Sequence, residues 1–462
     1  MKIKTLGLLL LASVSSPHVS KGFTRKPALT LGRLTRTSVF LLVSFLMSGS
    51  VFAETKSKEI LVEQAVSSDT KESAEAIAEL RTLGKSGLDA LFAKYGTEIK
   101  KFTASNEANE NWKRIAFAID SVAQQKDAYA SKLFWHTNLE EAQKEAVKSG
   151  KPILTLRLLG NLNEEFSCAN SRLFRSILYS NAEISKFLNE NYILHWKSVR
   201  PAPKVTIDFG DGRKIERTVT GNSIHYALDA DGNIVDALPG LYSPQAFLQF
   251  LDESKGAMQK AQNTGLRKLN LYAAHRRQIF DRIVKKRNAN IASAKITLTE
   301  PVKPVSGIPT AAEVMPRAMS KAMPVGELSI VNSISDDFSK FQPQLDFEDW
   351  KKLAALYASN AKIDISGTAF IRRQTGKRIK ENEFTELLQN LGVFLALDTT
   401  RNDFLMRTEV YETISNSRRL SNLETINEQI YAQVFLTPKT DEWLGFYTPT
   451  LYTALDGNGI IK

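Results

Sequence analysis

Hydrophobic positions along this chain recur with two different periods. Between Ser73 and Gly84 the residues Ala76, Ile77, Leu80 and Leu83 fall on one helical face, and Gly84 ends the run. A second helix over Gly87–Tyr95 turns Leu88, Leu91, Phe92 and Tyr95 inward. A third, from Trp112 to Gln124, does the same with Trp112, Ile115, Ile119 and Val122. The pattern predicts an N-terminal helical hairpin domain over residues 54–130.

From residue 131 the period alternates between helix and strand. Thr137-Asn138-Leu139-Glu140 reads as a capping box, with Thr137 capping a backbone N–H and Glu140 reaching back. Its helix ends at Ser149-Gly150, and Pro152 blocks continuation. Ile153–Leu159 is a nearly unbroken apolar run, the pattern of a buried strand. An amphipathic helix is expected from about Ser171 to Leu188, and a second strand at Tyr192–Val199. Two hairpins come next: Val205–Phe209 with Lys214–Val219 across Gly210-Asp211-Gly212, and Ile224–Asp229 with Ile234–Leu238 across Asp231-Gly232. Ser243-Pro244 opens a closing helix to Leu251, with proline at its first turn. These elements predict an α/β domain over residues 131–255.

Residues 256–295 read as a basic helix with a solvated face, because Arg267, Lys268, Arg276, Arg277 and Arg282 alternate with apolar Leu269, Tyr272, Ile279 and Ile283. Five prolines between Pro301 and Pro324 mark 296–327 as a linker. Helical spacing returns over Phe347–Tyr357, Glu381–Leu397 and Thr408–Phe435, predicting a mostly helical C-terminal domain over 328–462. Its aromatic tail, Trp443–Tyr447 and Leu451–Leu455, is expected to dock on a core.

Charge changes the picture at the N-terminus. The formal net charge of the 462 residues is +11, but residues 1–53 hold seven Lys and Arg and no Asp or Glu. Without them the charge falls to +4, which weakens any case for nucleic acid as a partner. Ser38–Leu46 is a short apolar core preceded by basic residues and followed by Gly49-Ser50-Val51-Phe52-Ala53. This is the pattern of a Sec-type signal peptide cut after Ala53, and it implies a periplasmic or secreted protein. The membrane becomes a partner only if that segment stays uncleaved. No cysteine follows the apolar core, so a lipoprotein anchor does not fit.

Cys168 is the only cysteine. In an exported protein a single thiol is reactive, paired between molecules, or buried and inert. It stands between the Ile153–Leu159 strand and the following helix, in Ser167-Cys168-Ala169-Asn170-Ser171-Arg172. Gly150-Lys151-Pro152 precedes the strand, Tyr179-Ser180-Asn181-Ala182-Glu183-Ile184 follows the centre, and Phe187–Ile193 enters the next strand. This order resembles the exported thioredoxin-like proteins with a Trp-Cys-x-x-Cys centre. The resemblance spans roughly Trp135 to Leu251. It implies an α/β thioredoxin-like fold with Cys168 at the nucleophilic position. The chain departs from the pattern at three points: Ser171 stands at the resolving position, Ser167 replaces the tryptophan, and Ser223 occupies the place of the cis-proline facing the centre.

A thiolate at Cys168 would be favoured by a helix N-terminus, and Arg172 and Arg175 would add to this. Ser171 would donate a hydrogen bond to the sulfur. With one thiol no internal disulfide forms, so any mixed disulfide needs an outside thiol. Two readings result. One is a non-catalytic, partner-binding envelope protein whose helical flanks hold a protein partner. The alternative is monothiol thiol–disulfide exchange, isomerase-like or sensing, with Cys168 as nucleophile, Ser171 as donor and an exogenous thiol as partner. No cofactor or metal is expected. His195 and His225, on strands expected to be adjacent, read as structural histidines, and Asp229-Ala230-Asp231-Gly232-Asn233 as a hairpin turn and not a calcium loop.

Overall fold

The computed structural model describes residues 57–298 apart from 220 and 266, then 345, 347–376, 379–417, 422–444 and 454–460. The signal-peptide region, nearly all of the proline-rich stretch and the tail at 445–453 lie outside the described residues. Within the rest the chain is α/β, a five-stranded mixed sheet with many helices.

Five helices open it: α1 (Lys58–Gln64), α2 (Thr70–Thr82), α3 (Lys85–Lys94), α4 (Gly96–Ser105) and α5 (Glu110–Ala123). Asp69 caps α2 by accepting from the Lys71 and Glu72 amides, and Asn109 caps α5 by accepting from that of Trp112. Such caps satisfy amides that have no partner within the helix. Leu80, Leu88, Leu91, Ile115 and Ile119 lose all exposure in a core of their own. Burying each side chain of this size contributes ~1.5–3 kcal/mol. Arg81 ties this layer to the start of the sheet, donating at 2.7 Å to the carbonyls of both Val122 and Trp135.

The sheet runs β1 (Trp135–His136), β3 (Ile193–Arg200), β2 (Ile153–Leu159), β6 (Ser223–Leu228) and β7 (Ile234–Pro239). The first three are parallel, and β6 and β7 are antiparallel to β2 and to each other. β2 is central and buried on both faces, which explains its apolar run. A separate two-stranded ribbon, β4 (Lys204–Asp208) with β5 (Lys214–Thr218), is inserted between β3 and β6. The β6–β7 turn is held by Asp229, whose Oδ1 accepts from the Asp231 and Asn233 amides.

Several local readings need correction. The cap of α6 (Leu139–Ser149) is Asn138, whose side chain accepts from the Glu141 amide at 2.9 Å, and not Thr137. The helix expected over 171–188 is broken. It begins as α7 (Ala169–Leu173), widens into a π turn at Phe174–Leu178, and restarts as α8 (Ala182–Asn191) where Asn181 caps two amides. The closing helix α9 (Pro244–Ala261) runs ten residues past Leu251. α10 (Arg267–Ser293) then packs against it, and its Arg276 is turned inward, donating to the carbonyls of Ile234 and Val235. His195 and His225 are not neighbours. β2 lies between their strands, and the register puts His195 with Thr155 and His225 with Leu156, on opposite faces.

The C-terminal helices, Phe347–Ala355, Ile365–Thr375, Glu381–Arg401, Thr408–Asn416 and Leu423–Gln429, share one apolar core with the sheet. A buried charge network joins them to it. Asp236 on β7 meets Arg407 at 3.2 Å, Tyr411 at 2.5 Å and His275 at 3.3 Å. Burial alone pushes this carboxyl up, yet Arg407, His275 and Tyr411 carry it below the ordinary carboxylate value.

Candidate functional site

Cys168 sits where β2 hands over to α7. Its amide donates to the Leu159 carbonyl at 3.0 Å, so the residue is folded back against the strand end. It is the N-cap of α7, in extended backbone geometry. Ser171, one turn on, donates its hydroxyl proton to the Cys168 carbonyl at 2.8 Å. The thiol in turn donates to the Ser171 oxygen at 3.4 Å. The polarity is therefore the reverse of the sequence expectation: toward sulfur, Ser171 accepts.

The other expected residues lie in the same cluster. Ser223 opens β6 and accepts from the Asn170 amide group at 2.9 Å; Asn170 also bonds the Gly221 carbonyl. Arg172 directs its guanidinium to the Thr218 hydroxyl at 2.7 Å, at the base of the ribbon. Thr218 donates onward to the Ser167 carbonyl at 3.3 Å. Ser167, Cys168, Asn170, Ser171 and Ser223 have no exposed surface at all. Arg175, nearly buried, holds the loop before the cysteine through the carbonyls of Glu164 and Glu165 at 2.9 and 3.4 Å. Burial lowers its guanidinium's affinity for the proton, against the pull of Asp127 and Glu165.

The groups that close the site come from far along the chain. The Leu423–Gln429 helix bonds the sheet through Glu424 and Asn427, and the π turn Ile430–Val434 brings Tyr431 beside the site. Tyr431 donates to the Asn222 carbonyl at 3.3 Å. Burial, with Cys168 and Tyr226 as neighbours, holds the Tyr431 phenol far above its ordinary value. Tyr179 is held up in the same way by burial and Cys168, so phenols from two different segments neighbour the thiol. Tyr179 also bonds His225 at 2.8 Å, and burial pushes that imidazole down to about 3. Both rings are neutral near pH 7.

A polar seam fastens the cover. Arg157, fully buried on β2, donates to Glu424 at 2.8 Å and to Thr155 at 2.5 Å. Thr155 bonds His195 at 2.7 Å, and burial beside Arg157 pushes His195 down to about 3. Tyr226 donates to Asn427 at 3.0 Å, Asn222 to Thr437 at 3.2 Å, and Arg200 to the Thr437 carbonyl.

Sequence reasoning missed Asn170, Thr218, Tyr431 and the Arg157–Glu424 pair. Only Arg157 carried a local signal, as a lone charge inside an apolar strand. No family model, no curated protein and no solved structure matches this chain. Among the described residues, no group of three or more His, Cys, Asp or Glu is placed to hold a metal ion, and no helix is long and apolar enough to cross a membrane. Cys168 is fully buried, and its thiol donates to the Ser171 oxygen.

Proposed function

We propose that this chain is an exported, non-catalytic binding protein built on a thioredoxin-like domain. The order α6, β2, cysteine loop, α7, β3, β6–β7 hairpin and α9 supports the thioredoxin-like reading. The basic, apolar leader ending in Ala53 supports export. One observation carries the non-catalytic part: Cys168 has no exposure, and the buried Tyr431 neighbours it. Exchange requires a thiolate to approach a disulfide sulfur directly, and a mixed disulfide must then be opened by a second thiol. Neither approach exists while the C-terminal segment is docked.

Monothiol exchange through Cys168 and Ser171 is the competing reading, and it demands displacement of that cover. The test is iodoacetamide alkylation of Cys168, native and in urea, across pH 6 to 9. The native rate should lie orders of magnitude below the unfolded one at every pH. A native thiol alkylated at full rate below about pH 6.5, well under the ordinary thiol value of ~8.5, would replace the binding reading with the exchange one.

A further inference from the structure

The β4–β5 ribbon stands free of the body. It is anchored at its base, where Thr218 bonds the Ser167 carbonyl, the Val219 amide bonds the Pro203 carbonyl, and Lys204 lies over the Phe166 ring. From Thr206 to Arg217 every residue is exposed. An isolated two-stranded ribbon is marginally stable in water, because it has no third strand and no packed face. Each strand here has one partner, so the outward N–H and C=O groups of both edges are unpaired by other strands.

Its two faces are unlike. The register pairs Val205 with Arg217 and Ile207 with Ile215 on one face, and Thr206 with Glu216 and Asp208 with Lys214 on the other. The second face is self-satisfied, with Lys214 on Asp208 at 2.9 Å and Thr206 on Glu216 at 3.4 Å. The first is apolar and open: Ile207 is 39% exposed, Ile215 38% and Phe209, at the turn, 52%. An antiparallel sheet normally turns its apolar face to a core. This one turns it to water.

The charges say what fits. Along β5 the open face reads Arg213, Ile215, Arg217, and the strand carboxylates Asp208 and Glu216 both lie on the opposite face. Asp211 in the turn pairs with Arg213 at 2.7 Å, but both side chains are exposed, so a partner acid can take the place of Asp211 on Arg213. A second copy of the chain would set arginine against arginine if faces met, and would leave the apolar face wet if edges met. A lipid surface would not satisfy the strand edge. We propose that the β5 edge takes an extended segment of a partner protein with the pattern acidic–x–apolar–x–acidic. Main-chain hydrogen bonds continue the ladder, and the apolar residue packs beside Ile215 while the acids pair with Arg213 and Arg217. This rests on the binding-protein reading and gives it a surface and a partner chemistry.

The experiment titrates the full chain into a fluorescein-labelled heptapeptide, Thr-Glu-Thr-Ile-Thr-Glu-Thr, and reads anisotropy. A saturable, salt-sensitive rise at submillimolar protein is expected. Replacing both glutamates by lysine, or N-methylating the backbone along the pairing edge, should weaken it at least ~10-fold, since the first sets like charges opposite each other and the second removes ladder bonds. The doubly substituted chain Ile215→Ser, Arg217→Glu should lose it too; both sites are exposed, and unchanged circular dichroism and Tm establish that the fold is kept. Equal binding of the lysine peptide, an unaffected variant, or no binding up to 1 mM overturns the proposal. So does binding only to phosphatidylglycerol vesicles, or a sedimentation shift showing self-association that the variant abolishes. Failure here leaves Cys168 alkylation unchanged, whereas a reactive Cys168 removes the non-catalytic reading without touching the ribbon.

Discussion

Substituting Asp120 by asparagine should stabilise the protein at neutral pH and remove most of one pH-dependent component of its stability. Asp120 lies on α5 and is buried; its Oδ1 accepts from the Ala128 amide at 2.9 Å, and Lys126 approaches its other oxygen at 3.4 Å. Burial dominates, and with Asp127 adding repulsion it raises the carboxyl from its ordinary 3.8 to about 6 against the opposing pull of Lys126. The folded state therefore holds this proton more tightly than the unfolded chain. The ionised form is a deficit in stability, complete above about pH 7 and vanishing as the pH falls below about 4. A shift of about two units corresponds to ~3 kcal/mol at neutral pH. The asparagine carboxamide would keep the acceptor for the Ala128 amide without the charge. Urea unfolding at pH 4, 5.5 and 7.5 measures the difference. The variant should gain ~2–3 kcal/mol at pH 7.5 and under ~1 kcal/mol at pH 4. A variant less stable than the parent at pH 7.5, or a difference that does not change with pH, would refute the account.

Other outcomes rest on the same geometry. Tyr431→Ala should cost ~3–5 kcal/mol and raise the native alkylation rate of Cys168, because it opens a cavity beside the thiol; Tyr431→Phe should cost only ~1 kcal/mol in urea unfolding. Asp236→Ala should destabilise by ~3 kcal/mol, since it takes from buried Arg407 the nearer of two carboxylates and leaves Asp403 at 3.5 Å. Asp236 has the opposite sign to Asp120: its folded value is depressed, so its stabilisation is present above the ordinary carboxylate range and is lost as the pH falls through the folded value. Its pH–stability profile against the alanine variant should bend in that acid range. Glu424→Gln should weaken docking of the C-terminal segment by a smaller amount, because Glu424 is half exposed, and should show as faster hydrogen exchange at Leu423–Val434.

The strands were readable because their signals are local. β2 is apolar throughout, and the turns at Gly210–Gly212 and Asp229–Asn233 carry their own chemistry. The Cys168–Ser171 contact was readable for the same reason, being one helical turn. The break at Tyr179–Asn181 was not, because apolar residues keep helical spacing across it while Asn181 offers a cap. The choice between Thr137 and Asn138 is a one-residue ambiguity that only backbone geometry resolves. The separateness expected of the C-terminal region was a matter of distance. Helical periodicity marks a face as apolar but does not say which core receives it, and here Trp350, Leu353, Leu395 and Ile430 join the sheet's while Phe370 joins that of the N-terminal helices. The pairs that close the site, Arg157 with Glu424 and Asn222 with Tyr431, lie more than 200 positions apart.

That separation has a consequence in time. Synthesis at ~5–20 residues per second puts roughly 15–50 seconds between the appearance of Cys168 and that of Tyr431. Through that interval the thiol exists without the residues that later lie beside it. A sulfur captured then, by an oxidant or another thiol, would carry a substituent where the Tyr431 ring must later sit. A substituent on Cys168 would therefore oppose the docking of the helices that are made last.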